Sequence, residues 1–392
     1  MPSDRQGGLK TLNRKKAQAL EKIAWDDNGM ENNGLQEDGQ IRLPGLASGV
    51  SMDHYLSLVH VHSSILEASR ILDRHRPALT QIELADNQEP MTPLQASTKT
   101  PNLYFKREDL TITRAYKVRG AVVSMAKAME SFDRSKFLTV STGNHALGII
   151  QAARLLKPAT VTIAVPSNTA PGKRRKIEEK IADLKKYDVE GKVVTVGETF
   201  DDCRTWAIAQ QAEGEYYIDP YSNPWVVAGQ GTIGLELLAQ LATEMQKKPI
   251  EEIVLISPIG GGGLLAGTTT GLQIGMAWDP RFRNTSLKVV GLRLEDMHAE
   301  WGDAIRVKEI APGNRHIFNA LGIEIAEMDD ATMLRCMKEA KDELDTWVEG
   351  PSAGTLSLKE REDVSPNEKR LTVCLISGGN VPYDKISEHY PL

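Results

Sequence analysis

The chain has 392 residues, 47 basic against 53 acidic side chains and a formal net charge of -6. Mixed signs along most of its length leave no basic footprint for nucleic acid, and Asp, Glu, Lys or Arg interrupts every long apolar stretch before the roughly 20 residues a membrane-spanning helix needs. The three cysteines, Cys203, Cys336 and Cys374, have no paired C-x-x-C spacing, which argues against a disulfide framework or a zinc site and fits a reducing cytoplasm.

At this length two α/β domains around a cleft are expected. Residues 1–50 read as a polar arm in which Leu9 to Trp25 has the pattern of a basic amphipathic helix and Asn28 to Gly45 that of a flexible linker. The arm is expected to be solvated or to contact a second subunit. No apolar signal region opens the chain, and Asp26, Asp27, Glu31, Glu37 and Asp38 speak against an acid-poor transit peptide. From Asp53 to Arg74 apolar residues recur at helical spacing through Leu56, Val59, Val61, Ile65, Leu66, Ile71 and Leu72, which predicts a core helix.

From Leu103 short β-like runs alternate with helical segments. Leu103 to Lys106, Phe137 to Val140, Val161 to Val165, Lys192 to Val196, Ile253 to Ile259, Leu287 to Leu292 and Leu371 to Ile376 read as strands. Ala121 to Phe132, Ala146 to Leu156, Asp201 to Glu213, Gly231 to Glu244, Leu264 to Ala277 and Ala331 to Val348 read as helical. Such a rhythm predicts an α/β fold of two domains with open, mostly parallel twisted sheets. Chemistry in these folds gathers in the loops at the carboxyl ends of strands. Four loops stand out: Thr111 to Gly120, Ser141 to His145, Gly260 to Gly263 and Ser377 to Asn380.

The glycines Gly260, Gly261, Gly262 and Gly263 lie between an apolar run and a helix start, where free N–H groups and the positive end of the helix dipole suit a phosphate. Lys117 opens the helix that runs to about Phe132. An ammonium at a positive helix end is disfavoured, and a lowered pKa is what an amine needs to act as nucleophile or Schiff base. Ser141-Thr142-Gly143-Asn144-His145 forms a second anion pocket, with hydroxyls, a carboxamide and free N–H groups suited to a carboxylate. Ser377 is placed to make one neutral hydrogen bond.

In this order the loops resemble those of the fold type II, tryptophan-synthase-β-like pyridoxal-phosphate enzymes, within them the threonine and serine dehydratases and serine racemase. The likeness spans about Ser51 to Pro382 and includes Thr92-Pro93-Leu94-Gln95, Pro166 with Pro171-Gly172-Lys173, Pro220-Tyr221-Ser222-Asn223-Pro224, Ala228 to Ile233, and Glu349-Gly350-Pro351-Ser352-Ala353-Gly354. A nucleotide site is disfavoured, since no G-x-x-x-x-G-K-[ST] is present.

The resemblance implies pyridoxal 5'-phosphate as cofactor, Lys117 as its Schiff-base lysine, and Gly260, Gly261, Gly262 and Gly263 as the phosphate cradle. Asn144 would contact the phenolic oxygen and Ser377 the pyridine nitrogen. Ser141, Thr142, Gly143, Asn144 and His145 would hold the carboxylate of a small amino-acid substrate. A neutral Ser377 makes the ring a weaker electron sink than a carboxylate would, favouring β-elimination over transamination. The implied activity is an ammonia-lyase that turns L-threonine, L-serine or a related 3-hydroxy amino acid into a 2-oxo acid and ammonia. The alternatives are a racemase, a lyase for another β-substituted amino acid, and a non-catalytic cofactor-binding protein.

The resemblance further implies a large cofactor-binding domain from residues 51–134 and 217–392, a small mobile domain at residues 135–216, and a homodimer or homotetramer. Glu236 resembles the divalent-cation ligand of serine racemase. The chain departs from the pattern in Ala115-Tyr116-Lys117, where dehydratases resemble Ser-Phe-Lys, and at Thr142, either a second acid/base opposite Lys117 or a passive carboxylate ligand. Arg293 and His298 stand open between reading an extra acidic substrate group and surface variation. No regulatory domain is expected beyond Asn380, and so no feedback by isoleucine.

Overall fold

Residues 40–41, 50–83 and 90–390 are described by the computed structural model. The expected arm helix Leu9 to Trp25 lies outside them, as does most of the linker, of which Gln40–Ile41 pair antiparallel with Val50–Ser51. Helix α1 (Met52–Asp73) buries Leu58, Ile65, Ala68, Ile71 and Leu72, while Val59, Val61 and Leu66 are only half buried.

The larger sheet has six strands: β1 (Leu94–Ala96), β2 (Leu103–Arg107), β7 (Glu252–Pro258), β8 (Ser286–Leu294), β9 (Glu324–Met328) and β10 (Arg370–Ile376). Their spatial order is β9-β8-β7-β10-β2-β1, parallel except for the edge strand β1. The smaller sheet is built from residues 136–217, with β3 (Lys136–Val140), β4 (Thr160–Val165), β5 (Glu190–Thr195) and β6 (Tyr216–Tyr217) in the order β5-β4-β3-β6, all parallel. This is the open, mostly parallel α/β architecture that the strand rhythm predicts. Central strands are apolar on both faces because both are covered. Ile253 and Leu255 pack with Leu371 and Val373 on one side, Val254 and Ile256 with Phe105 and Cys374 on the other.

Pairing sets the site. Leu375 lies beside Lys106 and Cys374 beside Ile256, so the carboxyl ends of β2, β10 and β7 are neighbours. From these ends leave the loop to Lys117, the loop carrying Ser377 and the glycine turn. The Ser141 to His145 loop leaves the carboxyl end of β3.

Helix α2 (Lys117–Phe132) starts at Lys117, as its dipole reading requires. The largest departure from the sequence reading is α6 (Pro224–Met245), which begins seven residues before Gly231. Asn223 caps it, its Oδ1 accepting from the N–H groups of Trp225 at 2.9 Å and Val226 at 3.2 Å, and Pro224 sits at the first helical position, where no N–H is needed. Glycine propensity argues against helix across residues 228–234, but packing overrides it. A methyl on Gly234 would lie 2.2 Å from the Thr268 carbonyl oxygen of α7 (Gly263–Trp278), so the two helices approach to backbone contact. The edge strand β9 and the helices α4 (Pro171–Ala182) and α8 (Pro312–Ala320) have no counterpart in the sequence reading.

Candidate active site

The loop before Lys117 is stitched to the loop after β10. Ala115 bridges Gly378, Tyr116 N donates to Ser377 O at 3.1 Å, and Gly379 N donates to Arg114 O at 2.8 Å. Arg114 itself is left-handed (φ 57°), held there by guanidinium bonds to Gly379 O at 3.0 Å and Trp347 O at 3.3 Å. The Lys117 amine is buried, donates to Pro220 O at 2.7 Å, and lies 4.6 Å from the Tyr221 ring centre and 5.2 Å from that of Tyr116. Burial pushes it down to about 7, against the pull of Asp219. It is therefore close to half neutral at physiological pH. Uptake of pyridoxal phosphate by the cofactor-free protein, followed as growth of visible absorbance, is expected to rise with pH through a midpoint near 7 and then level off. An ordinary lysine would keep accelerating toward pH ~10.

The glycine turn joins β7 to the N-terminus of α7, whose first N–H groups have no intrahelical partner. Gly262 has φ +90°, and a methyl on Gly261 would come within 2.5 Å of the Tyr221 side chain. Side chains are excluded at both positions. Asn314 Nδ2 fixes the turn by donating to Gly261 O at 2.8 Å and Tyr221 O at 2.9 Å. Arg293 donates to Lys308 O at 2.9 Å, bracing the loop whose Val307 side chain flanks Gly260. Its guanidinium thus has a structural task, and His298 is exposed.

Around helix α3 (Asn144–Leu156) the second anion loop divides its work. Ser141 Oγ accepts from the N–H groups of Gly143 and Ala146, each at 3.2 Å, so its oxygen shapes the loop. Thr142 is half exposed and Gly143 exposed, at the rim. Asn144 Oδ1 accepts from Asn380 Nδ2 at 2.9 Å while its Nδ2 donates to Glu349 Oε1 at 2.8 Å. The His145 ring is buried and makes no hydrogen bond of ordinary geometry. Burial, reinforced by Lys117, pushes it down to about 3, with Asp219 and the Ile218 main chain opposing. The ring is therefore neutral and brings no positive charge to the anion loop.

Ser377 is buried, with its Oγ 2.9 Å from that of Ser352. Ser352 Oγ also accepts from Gly378 N at 3.0 Å. Two neutral hydroxyls therefore stand together at this end of the site. Glu236, read as a cation ligand, instead has cations for neighbours. It accepts from Lys106 at 2.6 Å and from Arg119 at 2.8 and 3.0 Å, and these pairings hold its carboxyl well below the usual range. Among the described residues no group of three or more His, Cys, Asp or Glu side chains is placed to hold a metal, so a divalent cation finds no support at Glu236.

Glu349, Ser352, Tyr221, Asn314 and Asn380 belong to the site although the sequence reading gives none of them a role. All but Asn314 lie in segments that stand out in the sequence: Tyr221 between Pro220 and Pro224, Asn380 at the end of the Ser377 loop, and Glu349 with Ser352 in the stretch to Gly354, where a lone acid among glycine, proline and serine was the signal.

An amine held near neutrality beside an anion-accepting turn is what a pyridoxal-phosphate enzyme requires, and the side-chain-free cradle, Asn144 and the paired hydroxyls fit that cofactor. The sequence agrees. Residues 82–378 match the family described as pyridoxal-phosphate dependent enzyme, and the chain belongs to it. It is 30% identical to an L-threonine ammonia-lyase of Geobacter sulfurreducens over 298 residues, 73% of this chain and 69% of that one. The processed form of threonine deaminase isoform 2 from Solanum lycopersicum shares the fold with a TM-score of 0.67 at 23% identity, covering 90% of this chain and 99% of that one. Maize serine racemase does so at 0.61 and 22% identity, covering 83% and 97%.

Proposed function

We propose that the protein is an ammonia-lyase for a 3-hydroxy amino acid, threonine or serine, releasing a 2-oxo acid and ammonia. The carrying observation is the neutral Ser377–Ser352 hydroxyl pair, 2.9 Å apart, in a chain that also retains the poised Lys117 amine. The name of the Geobacter relative supports the same substrate class. When bound, pyridoxal phosphate supplies the electron sink that acidifies the substrate's α-carbon hydrogen. The chain's own groups do the rest. The loop N–H groups around Thr142 and Asn144 orient the carboxylate, and the Lys117 amine, about half of it neutral near pH 7, takes the α-proton. The β-hydroxyl then leaves as water, and one water replaces the nitrogen, so threonine gives 2-oxobutanoate and ammonia.

Closure of residues 135–216 over the cleft is part of the proposal. Two contacts support it: Lys173 of α4 pairs with Asp303, and Lys176 donates to Asn380 Oδ1 at 3.2 Å, so α4 already reaches the loops of the larger sheet. A reducing cytoplasm suits the three buried free thiols, and a homodimer or homotetramer, suggested by the resemblance, is read by light scattering.

Racemisation is the second reading. It is favoured by Thr142, a half-exposed side chain with no hydrogen bond to another described residue. Purified protein given L-threonine, L-serine, their enantiomers, 3-hydroxyaspartate and diaminopropionate decides between them. Formation of 2-oxo acid with equimolar ammonia is the expected result. A changed enantiomer ratio without ammonia would establish the racemase, and no product from any of them would remove the lyase assignment.

A further inference from the structure

Glu349 is a buried carboxyl that the reaction outlined above does not use. Its Oε1 accepts from Asn144 Nδ2 at 2.8 Å and from Asn380 N at 3.2 Å, and its own N–H donates to Gly378 O at 2.9 Å. Oε2 lies against the Gly378 backbone, so close that a methyl there would meet it at 2.9 Å, and it makes no hydrogen bond to a described residue. The carboxyl thus touches both Asn144, which by the family resemblance would meet the cofactor's phenolic oxygen, and the loop that carries Ser377.

The amide of Asn144 has one acceptor and two donor hydrogens. Asn380 occupies the acceptor and Glu349 one donor, which fixes the amide's orientation and leaves one N–H for a further acceptor. We propose that Glu349 is a positioning residue for the cofactor ring, aiming the free N–H of Asn144 at the phenolic oxygen and altering that bond when it gains or loses its own proton. The proposal rests on the pyridoxal-phosphate reading of the site.

A carboxylate strengthens the bond from Asn144 through its charge, and a carboxylic acid weakens it. Burial drives Glu349 up to about 7, with Asp303 adding to the rise and Asn144, Asn380 and Lys176 opposing it. Tyr116, at the start of α2, also faces it, and stays a neutral phenol because burial and the nearby groups raise it further. Arg114, the remaining cation near this loop, is turned to the Gly379 and Trp347 carbonyls. The proton therefore exchanges within the physiological range, next to the group that orients the ring.

The absorption spectrum of the cofactor-loaded protein reports where the ring's proton sits and needs no turnover. The wild type is expected to exchange two visible or near-ultraviolet bands as pH is raised, with a midpoint near 7. Glu349→Gln retains an acceptor for Asn144 and cannot ionise, so its spectrum should stay constant across about pH 6 to 8.5. A Glu349→Gln protein that keeps the wild-type midpoint would overturn the proposal, because another group would then own the titration. So would a wild type whose bands do not change with pH, whether or not the variant folds. A wild type with no cofactor band at all would remove the pyridoxal-phosphate reading instead, and the proposal with it.

Discussion

Lys117→Ala is expected to abolish the visible absorbance of the cofactor-loaded protein and to lower 2-oxo acid formation by at least about a thousandfold. Among the described residues no other amine is placed to substitute. Lys106 is buried, but its Nζ is committed to Glu236, Gln240 and the Thr92 carbonyl. Lys176 lies toward Asn380. The fold should survive, since the variant removes an amine whose burial already disfavours its charge and leaves only the Pro220 carbonyl without its donor. Lys117→Arg sharpens the test. A guanidinium does not become neutral at any working pH, so it keeps the positive charge and loses the nucleophile. Absorbance and turnover measured together check the prediction, with far-ultraviolet circular dichroism as the control for folding. A coloured, active Lys117→Ala protein would show that the cofactor is attached elsewhere.

What the sequence made legible is what the backbone does locally. A run of glycines between an apolar strand and a helix has a backbone suited to an anion, and Lys117 follows from a helix start a few residues wide. Contacts between distant segments were beyond reach. Asn144 and Glu349 are separated by 205 residues, and nothing near Glu349 in sequence marks it as the partner of a carboxamide. Glu236 shows the same limit with a different outcome. Read alone it resembles a metal ligand, because Arg119 and Lys106 lie 117 and 130 residues away.

The different surroundings of His145 and Asn144 have a geometric reason. His145 follows Asn144 directly, but both are helical, and one residue of α-helix turns the side chain by about 100°. Asn144 therefore meets Glu349 and Asn380 while His145 is buried near Lys117. The early start of α6 was hidden because glycines that lower helix propensity also allow helices to touch.

Glu236→Ala is expected to destabilise the protein by about 3–5 kcal/mol, the range for removing one member of a buried charge network. Arg119 and Lys106 are fully buried, and the substitution would leave Glu108, 2.8 Å from Arg119, as the remaining acid between them. Glu236→Gln should fall between wild type and alanine, because an amide oxygen still accepts one of the bonds but carries no charge. If uncompensated charge is the cause, a second change, Lys106→Met, should recover part of the loss, since removing both partners of a buried pair is far less harmful than removing one. Urea unfolding midpoints of the four proteins decide this, and a Glu236→Ala midpoint equal to wild type would overturn the assignment. The pH sign is fixed by the direction of the shift. The folded-state pKa of Glu236 is depressed, so its stabilisation is fully present above the ordinary carboxylate value of about 4.5 and fades as pH falls below it. The effect should also reach the active site. Arg119 is two residues beyond Lys117 in the first turn of α2, and the network that holds its guanidinium rigid holds the start of that helix as well. In the variant, cofactor uptake at Lys117 should therefore weaken before the whole fold is lost.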